Sequence, residues 1–288
     1  MEIYISQFIG GLSVAMLLFL VASGLSLIFG VANIFNFAHG SFYLLGSYIA
    51  YQTIALFPNF WIGLVTATIG AGLIGAMLEF IFLKRLYGRV NEGPFQILLT
   101  YSFILILDDA VKFIWGPEYK TIVKPDILEG SFVIGSIFIP KYNVFIILLG
   151  ISIAIVAWYI LNKTKAGMIV RASSFDRTMV GLLGINVSMV MTTVFGIATA
   201  LGGLAGAMAA PLRTVTPGAG IEVIIDSLIV VVLGGLGNFW GALLGALIIG
   251  EVNAFGILWI PQWASLLSFA IMIVVLIFKP QGLFTKTK

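Results

Sequence analysis

The chain has 288 residues, of which 60% are hydrophobic and only 9% charged, with a formal net charge of +3. Soluble domains carry about 25% charged residues, so a water-soluble fold is excluded, and so small a net charge gives no footprint for nucleic acid. The absence of cysteine removes disulfides, thiolate metal sites and cysteine nucleophiles.

Nine apolar segments follow one another, at about 7–29, 41–57, 60–83, 95–115, 143–161, 189–210, 224–236, 240–258 and 263–278. Most approach the ~20 residues that cross a hydrocarbon core of about 30 Å. Segment 224–236 is short, either a half-helix or a piece continuous with its neighbour. The expected fold is therefore all-α: a polytopic membrane helical bundle of eight or nine transmembrane segments with broken helices, in one transmembrane domain over 1–288. Met1-Glu2-Ile3 lacks the positive start of a secretory signal, so the first segment is expected to remain in the mature protein.

The first segment ends near Gly30, and the next begins near Ser41. Asn33, Asn36 and His39 lie between them. Polar groups and irregular backbone at membrane depth are tolerated where they are buried in protein or line a cavity. His39 is the only histidine and cannot build a metal site alone. It either ties helix ends together, lines a substrate path, or takes part in proton transfer.

Loop 84–94 carries Lys84, Arg85 and Arg89. In segment 95–115, Asp108 and Lys112 stand four apart and can pair on one helix face. Glu79 and Lys84 lie at a helix end, where both can snorkel. Loop 116–142 balances three lysines against Glu118, Asp126 and Glu129. Loop 162–188 holds Lys163, Lys165, Arg171 and Arg177, and the C-terminus holds Lys279, Lys286 and Lys288. With the basic loops on the cytoplasmic side and nine crossings, the N-terminus is outside and the C-terminus inside. Loop 162–188 also contains a helix-length stretch, about Ile169 to Leu183. It reads either as a solvated connector or as an element pressed into a cytosolic partner.

Gly234-Gly235-Leu236-Gly237-Asn238-Phe239-Trp240-Gly241 interrupts the apolar sequence a second time. Asn-Phe followed by glycine occurs at 36–40 and 238–241, and Ser-Leu-Ile precedes both, at 26–28 and 227–229. A possible internal repeat therefore relates 24–50 to 226–252. On that basis Asn36, Phe37, His39, Gly40, Asn238, Phe239 and Gly241 are candidates for a substrate path. Glycines at 10–11, 70–75, 202–206 and 241–250 fall inside apolar segments, as expected where helix backbones approach closely in lipid. Glu251 stands alone in an apolar run. No P-loop motif is present, so energised work would draw on another chain or on an ion gradient.

G-L-S-L-I-F-G-V-A-N-I-F-N-F-A-H-G at 24–40, G-x-x-x-R-A-x-x-x-D-R at 167–177, L-L-G-I-N at 182–186 and V-V-L-G-G-L-G-N-x-W-G-A at 231–242 resemble the branched-chain amino acid ABC transporter permeases, LivH-type subunit. The resemblance runs over nearly the whole chain. It implies a non-enzymatic transport subunit with no cofactor of its own, ATP being bound by partners. Those partners are a second, LivM-like permease, two cytosolic ATP-binding subunits and an extracytoplasmic substrate-binding protein. Loop 162–188 would carry a cytoplasmic coupling helix, with Gly167, Arg171, Asp176, Arg177 and Gly184 as coupling residues. It lacks the E-A-A start known from many other importers. Permeases for urea or short-chain amides carry similar motifs. An ion-coupled carrier using Glu251 or His39, and a purely structural subunit, are the competing classes.

Overall fold

A computed structural model describes residues 2–87 and 92–284. The expected cytoplasmic placing of Arg89, Lys286 and Lys288 falls outside the described residues. Eleven α-helices run in chain order among those described: α1 (Glu2–Ala32), α2 (His39–Leu56), α3 (Phe60–Ile81), α4 (Glu92–Trp115), α5 (Lys141–Lys163), α6 (Lys165–Phe175), α7 (Arg177–Leu182), α8 (Val187–Ala209), α9 (Ala219–Gly234), α10 (Phe239–Trp259) and α11 (Ala264–Phe278). A small antiparallel hairpin, β1 (Ser131–Ile134) with β2 (Ile137–Pro140), pairs Ser131 with Pro140.

Each of the nine apolar segments becomes one helix, and the fold is an all-α membrane bundle. Six helical stretches are long and apolar enough to cross a membrane; α2, α4 and α9 are not among them. At 16 residues, α9 spans about 24 Å, less than a full hydrocarbon core. It does not continue into α10, because Gly235 and Gly237 adopt left-handed backbone at φ 103° and 76° and end the helix.

Polar side chains set several helix starts. Asn59, Thr164, Asp176, Asn186 and Asn238 each accept a hydrogen bond from a backbone N–H in the first turn of α3, α6, α7, α8 and α10, satisfying donors that have no partner within the helix. Asp176 also corrects the expected single helix over 169–183. Its backbone is extended at φ −150°, and its carboxylate accepts from Met179 N at 2.9 Å. The stretch is thereby divided into α6 and α7.

α1 is apolar on all sides and buried along most of its length, as a central helix should be. It packs against α10, α8, α9 and α5, while α2 packs against α8, α3 and α9. The crossings run through small residues. A Cβ on Gly46 would meet Gly203 O at 2.1 Å, and one on Gly250 would meet Ala15 Cα at 2.7 Å.

The two ends of the bundle are distinct. Ser6 Oγ donates to Phe138 O at 3.4 Å, and Ser136 Oγ donates to the Glu2 carboxylate, so the start of α1 and loop 116–142 share one face. Arg177 reaches the end of α1, and Leu283 N donates to Leu233 O at 2.9 Å. Elements α6 and α7, the α9–α10 turn and the last described residues therefore share the other face.

Candidate functional site

α1 ends at Ala32, and Asn33 turns the chain with φ 54°, the one non-glycine positive φ among the described residues. The chain then doubles back. A Cβ on Gly24 would meet His39 Nε2 at 2.8 Å, so α2 begins about 12 Å back along α1 from its end. The first turn of α2 is buried, and its N-cap Ala38 supplies no side-chain hydrogen bond. Asn36 is 1% exposed and His39 0%. Neither the Asn36 amide nor either His39 ring nitrogen has a well-formed hydrogen bond, although the Val21 carbonyl lies near the ring. Backbone turns meet part of this helix start, with His39 N donating to Asn36 O at 3.2 Å and Ser41 N to Ala38 O at 2.9 Å, while the buried Asn36 amide is costly unless something else meets it.

Gly40 brings α2 against α9. A Cβ there would meet Gly220 O at 2.0 Å and Ile224 Cβ at 2.9 Å. The first turns of α2 and α9 therefore touch. Asp108 Oδ1 accepts from Gly218 N at 2.6 Å and caps α9, while Lys112 Nζ holds Asp108 at 2.5 Å. The expected Asp108–Lys112 pair is thus formed, and it fastens α4 to the start of α9. Phe37 is half-buried at the same break.

The second stretch has different surroundings. Asn238 accepts from Trp240 N and Gly241 N at 3.1 Å each and donates to Phe284 O at 2.8 Å, so it closes the α9–α10 turn. Gly241 lies against Gly234, where a Cβ would meet Gly234 O at 2.1 Å. Phe239 packs edge-on to Phe19 at 5.4 Å. The two stretches meet through Gly30 and Gly237, where a Cβ on Gly237 would stand 3.1 Å from Gly30 Cα. No hydrogen bond joins Asn36 to Asn238.

Arg177 connects this break to α6 and α7. Its guanidinium donates to Val31 O at 3.2 Å and to Ala32 O, while stacking 6.0 Å from the Tyr87 ring. A cation on the last carbonyls of a helix satisfies acceptors and opposes the dipole. Phe29, Asn33, Ser173, Phe175, Arg177 and Gly237 line a cavity of about 530 Å³ at this junction. Gly167 lets α6 fold back on α5, since a Cβ would meet Ile160 O at 2.3 Å. Gly184 ends α7 with φ 82°, and Arg171 is exposed. Phe175, 88% exposed, stands beside Asp176 on this face.

Sequence reasoning missed three of these features. Glu79 does not snorkel: it is 0% exposed and accepts from Tyr87 Oη at 2.8 Å and Thr192 Oγ1 at 2.5 Å, tying α3 to α8. The Gly220 contact and the Arg177 cap join residues far apart in sequence, and no local pattern announces them.

A family profile described as branched-chain amino acid transport system / permease component matches residues 7–276. The chain belongs to that family. It is 29% identical to the high-affinity branched-chain amino acid transport system permease protein BraD of Pseudomonas aeruginosa, over 97% of this chain and 95% of that one. It is 26% identical to the permease protein LivH of Escherichia coli, again over 97% and 95%. It is 27% identical to the probable permease LivH of Methanocaldococcus jannaschii, over 95% and 90%. Among solved structures, PsaBC from Streptococcus pneumoniae in complex with Fab shares the fold, with a TM-score of 0.53 at 12% identity over 94% of this chain and 91% of that one. The chain is thus a multi-pass membrane protein of a transport permease family.

Proposed function

We propose that this chain is the translocation subunit of an ATP-driven importer of branched-chain amino acids in the cell's inner membrane. It would form the path with a second, LivM-like permease, be driven by two cytosolic ATP-binding subunits, and receive substrate from an extracytoplasmic binding protein. One observation supports the reading: α1 ends in a break that leads to the buried start of α2, where the Asn36 amide has no hydrogen-bond partner, and Arg177 ties the end of α1 at that break to the exposed α6–α7 element. A push on α6–α7 therefore bears directly on the break between α1 and α2.

The path is assigned to Asn36, Phe37, His39 and Gly40, with Asn238, Phe239 and Gly241 closing it near the inner face. The positive end of a broken helix suits a substrate carboxylate, and unpaired polar groups suit an ammonium. Coupling is assigned to Gly167, Arg171, Asp176, Arg177 and Gly184, with Phe175 as the apolar contact for an ATP-binding subunit. The likeness between 24–50 and 226–252 enters as two chain breaks that meet at Gly30 and Gly237.

Asn36→Ser and His39→Gln are expected to keep assembly intact while changing uptake rate or preference among leucine, isoleucine and valine. Uptake per assembled complex that matches the parent in both variants would remove these residues from the path. For coupling, Phe175→Asp is expected to lower co-purification of the ATP-binding subunit. Undiminished co-purification would move that contact elsewhere. The reading also fixes orientation, with N-terminus outside and C-terminus inside. The chain lacks cysteine, so single introduced thiols report cleanly. Val123→Cys should react with an impermeant maleimide in intact cells, and Phe175→Cys should not; the reverse pattern inverts the topology.

A further inference from the structure

A second cavity is separate from the Asn36–His39 break and shares one residue, Phe239, with the candidate path. Its volume is about 760 Å³, and it opens between α5 and α8 over the flank of α1, with α6 across one end. Its walls include Leu149, Val156, Ile160, Val190, Ile197 and Leu201. The wall hydroxyls do not face inward as donors. Ser23 donates to Leu20 O, Ser152 to Leu148 O and Thr193 to Met189 O, at 3.0, 2.7 and 2.8 Å. With Asn186 Oδ1 taken by Met189 N at the groove's end, the apolar interior offers little to a zwitterion, whose desolvation there would be costly.

Its dimensions narrow the occupant further. The wall runs from Leu149 to Leu161 on α5 and from Met189 to Leu201 on α8, about 18 Å at the helical rise. That is close to one leaflet of a hydrocarbon core of about 30 Å. An extended acyl chain can follow a groove of that length, and the charge at its mouth decides for a lipid over a partner's apolar helix.

The mouth of the groove carries charge of one sign. Leu161, Ala166, Gly167 and Asn186 form its end. Lys163 and Lys165, both exposed, lie between Leu161 and Ala166 and make no ion pair among the described residues. No acidic residue occurs from 157 to 175.

We propose that the α5–α8 groove seats an acyl chain of an anionic phospholipid from the leaflet that meets α6, with Lys163 and Lys165 at its headgroup. Because Ala166, Gly167, Ile169 and Val170 of α6 line the same groove, the lipid packs under the element assigned to coupling and fixes its height relative to the membrane. The seating of the lipid needs only the membrane fold, while its bearing on coupling rests on the proposed function.

The test uses the full-length chain with its co-purifying subunits in nanodiscs of phosphatidylcholine, containing a small fraction of phosphatidylglycerol with a photoactivatable acyl chain. Cross-linked peptides are mapped by mass spectrometry. Label is expected on 149–161 and 189–201 well above that on α11, whose Ile273, Val274 and Ile277 are equally exposed. It should drop when the same photoactivatable chain is carried on phosphatidylcholine, and by about fivefold for each of Lys163→Gln and Lys165→Gln. Ala157→Trp, which fills the groove without touching the lysines, should abolish it. Equal labelling of the groove and α11, equal labelling by the two headgroups, or cross-linking of a second permease to these same residues would each overturn the proposal.

Discussion

Arg177→Met is expected to leave the chain inserted and to reduce ATP-driven uptake by about a hundredfold, the change that goes with about 3 kcal/mol of lost contact at a functional joint. The guanidinium donates to two carbonyls at the end of α1, Val31 O and Ala32 O. Hydrogen bonds to a charged group contribute about 1.5–3 kcal/mol each, and a cation at a helix C-terminus adds about 0.3–1 kcal/mol. Methionine keeps the apolar stem against Tyr87 and removes both donors. The α6–α7 element then loses its tie to the break, while the helices that hold the bundle together are untouched. Arg177→Lys should recover part of the rate, since an ammonium reaches one carbonyl but cannot fork across two. Radiolabelled leucine uptake per assembled complex checks both variants. A normal rate in Arg177→Met would show that α6–α7 does not act through α1.

Gly40→Ala is expected to reduce the folded protein in the membrane several-fold. The added methyl would stand 2.0 Å from Gly220 O, a backbone atom that no rotamer change can move. Overpacking costs about 1–3 kcal/mol in cores that can yield, and two crossing helix backbones yield less than side chains do. Gly10→Ala is the control, because nothing lies within 4 Å of a Cβ there. Detergent-resistant fluorescence of a tagged chain measures both. Equal amounts of the two variants would mean that α2 and α9 are not held as closely as Gly40 and Gly220 require.

These two sites mark where the sequence could be read and where it could not. The break at 30–40 was legible because Asn33, Asn36 and His39 interrupt an apolar pattern, and polar groups at that depth need a reason. The nine helices were legible for the same cause, since an apolar run of that length has few other fates in a membrane. The division at Asp176 was within reach of a reading for caps: an Asp three residues before Met179 offers its carboxylate to that backbone N–H. Asn238 invited the same reading, with Phe239 and Trp240 following it. Its role is that of an ordinary cap, which its likeness in sequence to Asn36 does not reveal. The Arg177 tie to Ala32, the Gly40 contact with Gly220 and the burial of Glu79 beneath Tyr87 and Thr192 join elements separated by long stretches of chain. Each depends on how α1, α2, α8 and α9 cross, and side-chain periodicity does not encode crossing partners.

The most direct test of the account is leucine accumulation in proteoliposomes holding the complex that co-purifies with this chain, supplied with its binding protein on the outer side. The account predicts accumulation that requires ATP inside, persists when a protonophore collapses the ion gradient, and is lost in Arg177→Met. Accumulation driven by a proton or sodium gradient without ATP would contradict it.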